Sequence, residues 1–122
     1  MTFNGRRVLV VEGDFLVSLA TTDLLKNFGC ETIGPAASLA AAVQLAQSEA
    51  LDTALLDINI AGEMIWPAAA ALQYRGVPFL FVAALAPRMI FRAPFAAAPR
   101  LDKPLARNRL LRDLSAIWSI SR

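Results

Sequence analysis

The sequence predicts an α/β domain in which a doubly wound parallel sheet carries helices on both faces. Short apolar runs alternate along the chain with segments of helical periodicity. Several runs are apolar at every position, which is typical of strands buried on both faces of a sheet. The run beginning at Thr53 ends on an acid, Asp57, and so places a carboxylate at the carboxyl edge of the sheet, where such folds carry their chemistry.

Length and composition indicate one domain over residues 1–122, with no output domain attached. The chain is 57% hydrophobic, yet no apolar run is long enough to span a bilayer. The first residues lack the apolar core of a secretory signal, so we expect a cytoplasmic protein with no membrane partner. The net charge is only +2 and the arginines are dispersed, which argues against nucleic acid as a partner.

The chain has one cysteine, Cys30, and no histidine. An internal disulfide, a cysteine-rich metal site, Ser-His catalysis and histidine zinc ligation are therefore excluded. We expect Cys30 to be a buried strand residue.

The first two βα units begin the chain. Arg6–Val11 is the first strand, and Asp14 caps a helix that ends at Gly29. The spacing of its apolar residues predicts a buried face of Val17, Ala20, Leu24 and Phe28. A second strand, Cys30–Ile33, is predicted to close at Gly34 and Pro35, before a helix capped by Ser38 with Leu39, Val43 and Ala46 on one face.

The third strand begins at Thr53 and is followed by a looser segment at residues 61–63. Pro67 suits the first turn of the next helix, which Gly76 stops, and Val77–Val82 is another apolar strand. Prolines within the following interval leave room only for a short or irregular fourth helix around residues 88–92; they are Pro87, Pro94 and Pro99.

A short fifth strand passes through Leu101–Asp102, and Leu105–Ile120 is a final amphipathic helix. Its predicted inward residues are Leu110, Leu111, Leu114, Ile117 and Trp118, and its outward residues are Arg107, Arg109, Arg112 and Asp113. Five strands alternating with five helical segments require right-handed crossovers. The flavodoxin-like strand order 2-1-3-4-5 places the ends of strands 1 and 3 side by side, so Glu12 and Asp57 are expected to share one crevice.

At these residues the chain resembles the receiver domains of two-component response regulators over essentially its whole length. The matching segments are Val8–Glu12, Leu55–Asn59, Val77-Pro78 and Lys103-Pro104. The Asp57-x-Asn59 pattern, followed by Gly62, Glu63 and Pro67, is most similar to stand-alone receivers of the alphaproteobacterial type.

The resemblance implies a non-enzymatic signalling module. It implies that Asp57 accepts a phosphoryl group from a histidine kinase or phosphotransfer protein, that Mg²⁺ assists, and that Lys103 pairs with the phosphoryl group. The implied metal ligands are Glu12, Asp57 and the backbone carbonyl of Asn59. Asp14 is either a substitute ligand or the cap of its own helix, and the cap is favoured.

Three positions depart from the family pattern. Receivers usually carry a second acid where Gly13 stands, a hydroxyl residue near Ala83 and an aromatic residue near Arg100. The first departure predicts weak Mg²⁺ binding. All three leave open a degenerate receiver that acts through protein contact without phosphate.

Two other functions remain as alternatives. One is a flavodoxin-like small-ligand binder or phosphatase with Asp57 as its nucleophile, which the absence of a Gly-rich phosphate loop disfavours. The other is a homodimer built on the fifth strand and the last helix.

Overall fold

The computed structural model describes residues 3–83, 100–103 and 105–118. The elements within these ranges are β1 (Arg7–Val11), α1 (Phe15–Asn27), β2 (Glu31–Ala36), α2 (Leu39–Ser48), β3 (Thr53–Asp57), β4 (Asn59–Ile60), β5 (Glu63–Met64), α3 (Trp66–Tyr74), β6 (Phe79–Ala83), β7 (Arg100–Asp102) and α4 (Arg107–Ile117). The short helix predicted around residues 88–92 lies outside these ranges. None of the helices inside them combines the length and apolar character that a membrane crossing requires.

The main sheet has five parallel strands in the order β2-β1-β3-β6-β7. When only the strands of this sheet are numbered along the chain, β6 is the fourth and β7 the fifth. The predicted strand order 2-1-3-4-5 is therefore confirmed. The register pairs Val11 with Leu56, Asp57 with Val82, and Ala83 with Asp102. Because parallel strands end at a common edge, the residues that follow β1, β3 and β7 are brought to the same rim of the sheet.

Two apolar clusters cover the two faces of the sheet. On one face Leu56 and Phe81 pack with the alanines of α2 and with Leu72 of α3. On the other face Leu55 packs with Leu25 of α1 and with α4 through Leu110 and Leu114. Neighbouring residues of β3 therefore face opposite layers, as the period-two geometry of a strand requires.

The predicted helix boundaries rest on local signals that the structure confirms. The Asp14 side chain accepts a hydrogen bond from Val17 N at 3.0 Å, and the Ser38 hydroxyl accepts one from Ala41 N at 3.1 Å. Gly29 and Gly76, which follow α1 and α3, have φ angles of 91° and 72°. These positions need a left-handed backbone, which glycine adopts without steric cost.

The predicted buried face of α1 is confirmed at Phe28, which is 1% exposed, and is wrong by about one position before it. Ala20 is exposed, Val17 and Leu24 are half-buried, and the buried stripe consists of Ser18, Thr21, Thr22 and Leu25. Both stripes have helical spacing, so periodicity alone could not choose between them. Small hydroxyl residues can face the sheet here because a helical hydroxyl can bond its own helix, as Thr22 Oγ1 does by donating to Leu19 O at 3.0 Å.

The predicted end of the second strand at Gly34 and Pro35 was also wrong. β2 continues to Ala36 across a register shift opposite Leu9 and Val11. Gly34 has a φ of 95°, and a Cβ there would lie 2.7 Å from Ala36 N and 3.0 Å from Val10 O. A bulge at a residue without a side chain thus lets the strand continue toward the site.

The segment expected to be loose after Asp57 is a small antiparallel hairpin of β4 and β5. Ala61 and Gly62 form its turn with φ angles of 52° and 89°, the positive values that tight hairpin turns require. The Asn59 side chain accepts a hydrogen bond from Gly62 N at 2.8 Å, and Ile60 of β4 is fully buried. The chain after Asp57 is therefore held in one defined conformation.

Candidate functional site

Three strands deliver one charged residue each to the rim of the sheet. Asp57 is the last residue of β3, Glu12 follows β1, and Lys103 follows β7. Glu12 N donates to Ala36 O at 3.0 Å, so the extended β2 fixes the backbone from which this acid projects. The structure brings together three residues that lie up to 91 positions apart in sequence.

Lys103 contacts both acids at once. Its Nζ lies 2.8 Å from Glu12 Oε1 and 3.3 Å from Asp57 Oδ2. The side chains are 5% exposed for Glu12 and 16% exposed for both Asp57 and Lys103. Glu12 is therefore buried, whereas Asp57 at the same rim stays partly reachable from solvent.

Burial raises the pKa of the Glu12 carboxyl, and the neighbouring Asp57 carboxylate adds to that rise against the opposing bond from Lys103. For Lys103, burial alone lowers the pKa, but the bonds and charges of Glu12 and Asp57 outweigh burial and raise it. The two directions have different main causes, since burial dominates at Glu12 whereas the two neighbouring carboxylates dominate at Lys103.

The two remaining candidate ligands have other contacts. The Asp14 carboxylate caps α1, while its backbone N donates to Glu12 Oε2 at 3.1 Å. The favoured interpretation of Asp14 as a helix cap is confirmed. The Asn59 side chain is occupied inside the hairpin turn, and its predicted role through the backbone carbonyl stays a prediction.

The three departures from the receiver pattern lie on the strands that build this rim or shortly after them. Gly13 lies beside Glu12, and a Cβ placed on it would meet no atom within 4 Å. Space for a second acid is thus present although the acid is not. Ala83 ends β6 and supplies no hydroxyl, and Arg100 begins β7 and pairs with Phe81.

A magnesium ion fits this donor set only in part. Mg²⁺ in proteins is held by one or two carboxylates, with water and phosphate oxygens completing its shell, and Glu12 and Asp57 are two such carboxylates. Across the part of the chain that the structure describes, no group of three or more acidic, cysteine or histidine side chains is placed to hold a metal ion. The residues fit a weak site, which bound phosphate would have to complete.

An exposed apolar surface begins beside the site. Phe15, Leu16 and Leu19 of α1 are 75%, 72% and 48% exposed, and we call them the α1 patch. The patch starts directly after Asp14, whose backbone bonds Glu12. The sequence signal for the α1 patch is the stripe of hydroxyl residues Ser18, Thr21 and Thr22. When that stripe is buried, the large apolar residues of α1 face outward.

Comparison with protein-family models and with curated proteins finds no match. Solved structures do match over nearly the whole chain. The receiver domain of a sensor histidine kinase from Pseudomonas aeruginosa PAO1, which has a magnesium ion coordinated in its active-site cleft, is 22% identical with a TM-score of 0.81, covering 94% of this chain and 98% of that one. SdrG from Sphingomonas melonis Fr1 is 26% identical with a TM-score of 0.75, covering 97% of this chain and 99% of its own.

A third match is the CheY-like response regulator receiver domain from Methanospirillum hungatei JF-1, 22% identical with a TM-score of 0.80 and 93% coverage of both chains. The fold and the rim define a flavodoxin-like α/β domain with an acid and lysine cluster at the carboxyl edge of its sheet. More particularly, this is the fold of response regulator receiver domains, and the resemblance indicated by the sequence is confirmed. That fold supports a role in two-component signalling, while the alphaproteobacterial type stays a prediction.

Proposed function

We propose that this chain is a single-domain receiver of a cytoplasmic two-component phosphorelay, and that Asp57 accepts a phosphoryl group from a histidine kinase or phosphotransfer protein. The observation that carries the proposal is the position of Lys103 Nζ, 3.3 Å from Asp57 Oδ2 at a solvent-reachable rim. An ammonium at this distance can pair with the oxygens of a phosphoryl group on Asp57.

In the proposed reaction an Asp57 carboxylate oxygen attacks phosphorus, and the bond from phosphorus to the histidine nitrogen of the donor breaks. The electron pair of that bond stays with the departing imidazole. Lys103 offsets the charge of the phosphoryl oxygens, and Glu12, Asp57 and the Asn59 carbonyl would hold Mg²⁺, which supplies further charge neutralisation at those oxygens when bound.

The α1 patch supports docking of the phosphodonor at this rim. Large apolar side chains that stay exposed while hydroxyls are buried on the same helix are unfavourable in isolation and are typical of a binding surface. Because Phe15 follows the Asp14 cap directly, a partner seated on the patch would present its histidine close to Asp57.

Acetyl phosphate with Mg²⁺ tests the acceptor without any partner protein. We expect intact-mass spectrometry to show one added phosphoryl group on the wild type and none on Asp57→Asn. SdrG from Pseudomonas melonis Fr1 has a BeF3-activated conformation, so BeF3⁻ with Mg²⁺ is a second, non-covalent probe. Equal uptake of phosphate by Asp57→Asn would disprove the acceptor assignment.

Gly13 and Ala83 favour a second candidate, a degenerate receiver that works by protein contact alone. Without the hydroxyl at position 83, a phosphoryl oxygen lacks a hydrogen bond of about 1.5–3 kcal/mol, the range for bonds to charged groups. A wild type that takes up neither acetyl phosphate nor BeF3⁻ at high Mg²⁺ would select this candidate.

Docking is tested by comparing two phosphodonors. Leu16→Ser should slow phosphorylation by a histidine phosphotransfer protein while leaving the rate with acetyl phosphate unchanged, because the small donor needs no protein surface. Gln44→Ser, on the exposed side of α2, is the control. Equal slowing with both donors would show that Leu16 acts on the site and not on docking.

Homodimerisation and phosphatase activity are two further hypotheses, and each has a separate test. Homodimerisation through β7 and α4 predicts sedimentation that depends on concentration. Phosphatase activity predicts turnover of a generic phosphomonoester that Asp57→Asn abolishes.

A further inference from the structure

The helices α2 and α3 have an uncharged outer surface. Leu39–Ser48 and Trp66–Tyr74 contain no charged residue, whereas α1 and α4 both do. A helix at the surface of a protein normally presents charged side chains to solvent. The exposed residues of α3 include Pro67, Ala70 and Tyr74 instead, and Tyr74 is 93% exposed. This surface therefore suits contact with an apolar group better than contact with water.

A groove lies on this surface, and we call it the α2–α3 groove. Its volume is about 520 Å³, which is within the range of small-molecule sites. It is lined by Gln47, Pro67, Ala70, Ala71, Tyr74 and Arg75. Pro67, Ala70 and Tyr74 recur at helical spacing, so they lie on one side of α3. Alanine side chains take up little space and Tyr74 adds an aromatic ring, so the groove fits a flat apolar body.

The charged member of this lining is Arg75, which follows α3 directly. Its Nη1 donates to Ala46 O at 2.6 Å and to Glu49 O at 2.8 Å, so both hydrogens of that nitrogen are used and the guanidinium is held at the end of α2. Among the described residues, no acceptor is bonded to Arg75 Nε or Nη2. These two nitrogens form the edge of a guanidinium that can pair with both oxygens of a carboxylate. Arg75 is therefore positioned with a carboxylate-binding edge still unused.

We propose that the α2–α3 groove binds a small organic monoanion, a carboxylate attached to a flat apolar ring. The carboxylate pairs with Nε and Nη2 of Arg75, and the ring packs on Ala70 and Tyr74. One positive charge in the lining matches one negative charge on the ligand. The groove is separate from the acid and lysine cluster at the rim of the sheet, so the inference goes beyond the proposed function and does not rest on it.

Titration of the full chain with β-naphthoate, followed by the backbone amide NMR signals, tests the site. We expect saturable shifts at Ala70, Ala71 and Arg75 at about millimolar ligand, which is the affinity range for a compound of this size. Shifts that do not saturate, or that lie mainly at the α1 patch, would overturn the proposal. The measurement does not involve phosphoryl transfer, so failure of Asp57 to accept phosphate would leave the inference intact.

Two analogues with the same ring test the carboxylate. β-Naphthamide lacks the charge and should bind roughly tenfold more weakly, because the paired charge-assisted hydrogen bonds are lost. β-Naphthyl phosphate brings a second negative charge to a single guanidinium and should also bind more weakly than β-naphthoate. Equal binding of the amide would show that Arg75 does not contribute. Equal or tighter binding of the phosphate would show that the groove does not select carboxylates, and either result would overturn the proposal.

A matched pair of variants tests the groove itself. Ala70→Glu places a carboxylate at an exposed position in the lining, and it should weaken β-naphthoate binding about tenfold through repulsion between like charges at close range. Gln73→Glu makes the same change in net charge at an exposed position of the same helix outside the lining. It should alter the affinity by less than about twofold, since exposed charges are screened by salt. Equal weakening in both variants would show a general charge effect and overturn the proposal.

Tyr74→Ser tests the aromatic contact and the nature of the occupant. Because Tyr74 is 93% exposed, the variant should fold like the wild type, and it should bind β-naphthoate about fivefold more weakly without the ring. Unchanged affinity would contradict the assigned contact. Sedimentation of both proteins distinguishes a ligand site from an interface between copies. A wild type that self-associates, and that Tyr74→Ser returns to the monomer, would show that a second copy occupies the groove and would overturn the proposal.

Discussion

The two edges of the sheet carry similar charged residues and use them differently. At the amino edge Arg7 bonds Ala50 O and Glu31 at 2.6 Å and Glu49 at 2.9 Å. At the carboxyl edge Glu12 and Asp57 share Lys103. The Arg7 partners are 37–58% exposed, whereas the carboxyl-edge acids are 5–16% exposed.

The two edges differ in how deeply the acids are buried and in whether two acids share one cation, more than in the number of charges. These two properties distinguish the candidate site from the structural cluster around Arg7. At the amino edge the planar guanidinium offers each partner its own donor, and water is close enough to hydrate the acids. At the carboxyl edge two acids compete for one ammonium away from water, which raises the pKa of Glu12. At the amino edge Arg7 and its three partners form a hydrogen-bonded cluster, which we call the clamp. At the carboxyl edge two acids and one lysine leave one excess negative charge.

The largest expected effect is on the amino edge. Arg7→Met removes three side-chain hydrogen bonds and should lower the free energy of unfolding by about 2 kcal/mol, since hydrogen bonds to charged groups are the stronger ones. Urea denaturation measures this. Arg6→Met is the control, because within residues 3–83, 100–103 and 105–118 the Arg6 side chain makes a 3.9 Å ion pair with Asp52 and a contact with the Trp118 ring. Its loss should be under about 1 kcal/mol. Equal losses would mean that the clamp is not specific to Arg7.

The next effect concerns the missing acid of the carboxyl edge. Gly13→Asp should raise Mg²⁺ affinity roughly tenfold by adding a third carboxylate, and the open space around the Gly13 Cβ position admits it. Gly13→Asn is the matched control of the same size without charge. If calorimetry shows the same affinity for both variants, the second acid does not explain the weak metal site.

The smallest effect is a pH dependence of stability. The folded pKa of Glu12 is raised, so its contribution is fully present below the unfolded value of 4.5 and is lost as the pH rises through the folded pKa. Glu12→Gln removes this titration, and it should gain stability relative to wild type as the pH rises above 4.5. Chemical denaturation across that range measures the gap, and a gap that stays constant with pH would contradict the assigned cause.

The predictable part of the fold follows from short-range signals. Asp14, Ser38 and Gly29 were identified as helix ends because a cap depends on residues within one turn. The strand order followed from the alternation of apolar runs with helices, since crossover handedness leaves few arrangements. The outcomes that differed, the buried stripe of α1 and the length of β2, depend on what the element packs against.

The alternation of elements, the helix caps and the residue types that follow each strand can be predicted from the amino-acid sequence, because these depend on neighbours along the chain. The three-dimensional structure was needed to show that Lys103 lies closer to Glu12 than to Asp57, that α1 turns Phe15 and Leu16 outward, and that a hairpin follows Asp57. Each of these depends on distances between segments far apart in the chain, and such distances are set by packing and burial, which no local pattern encodes.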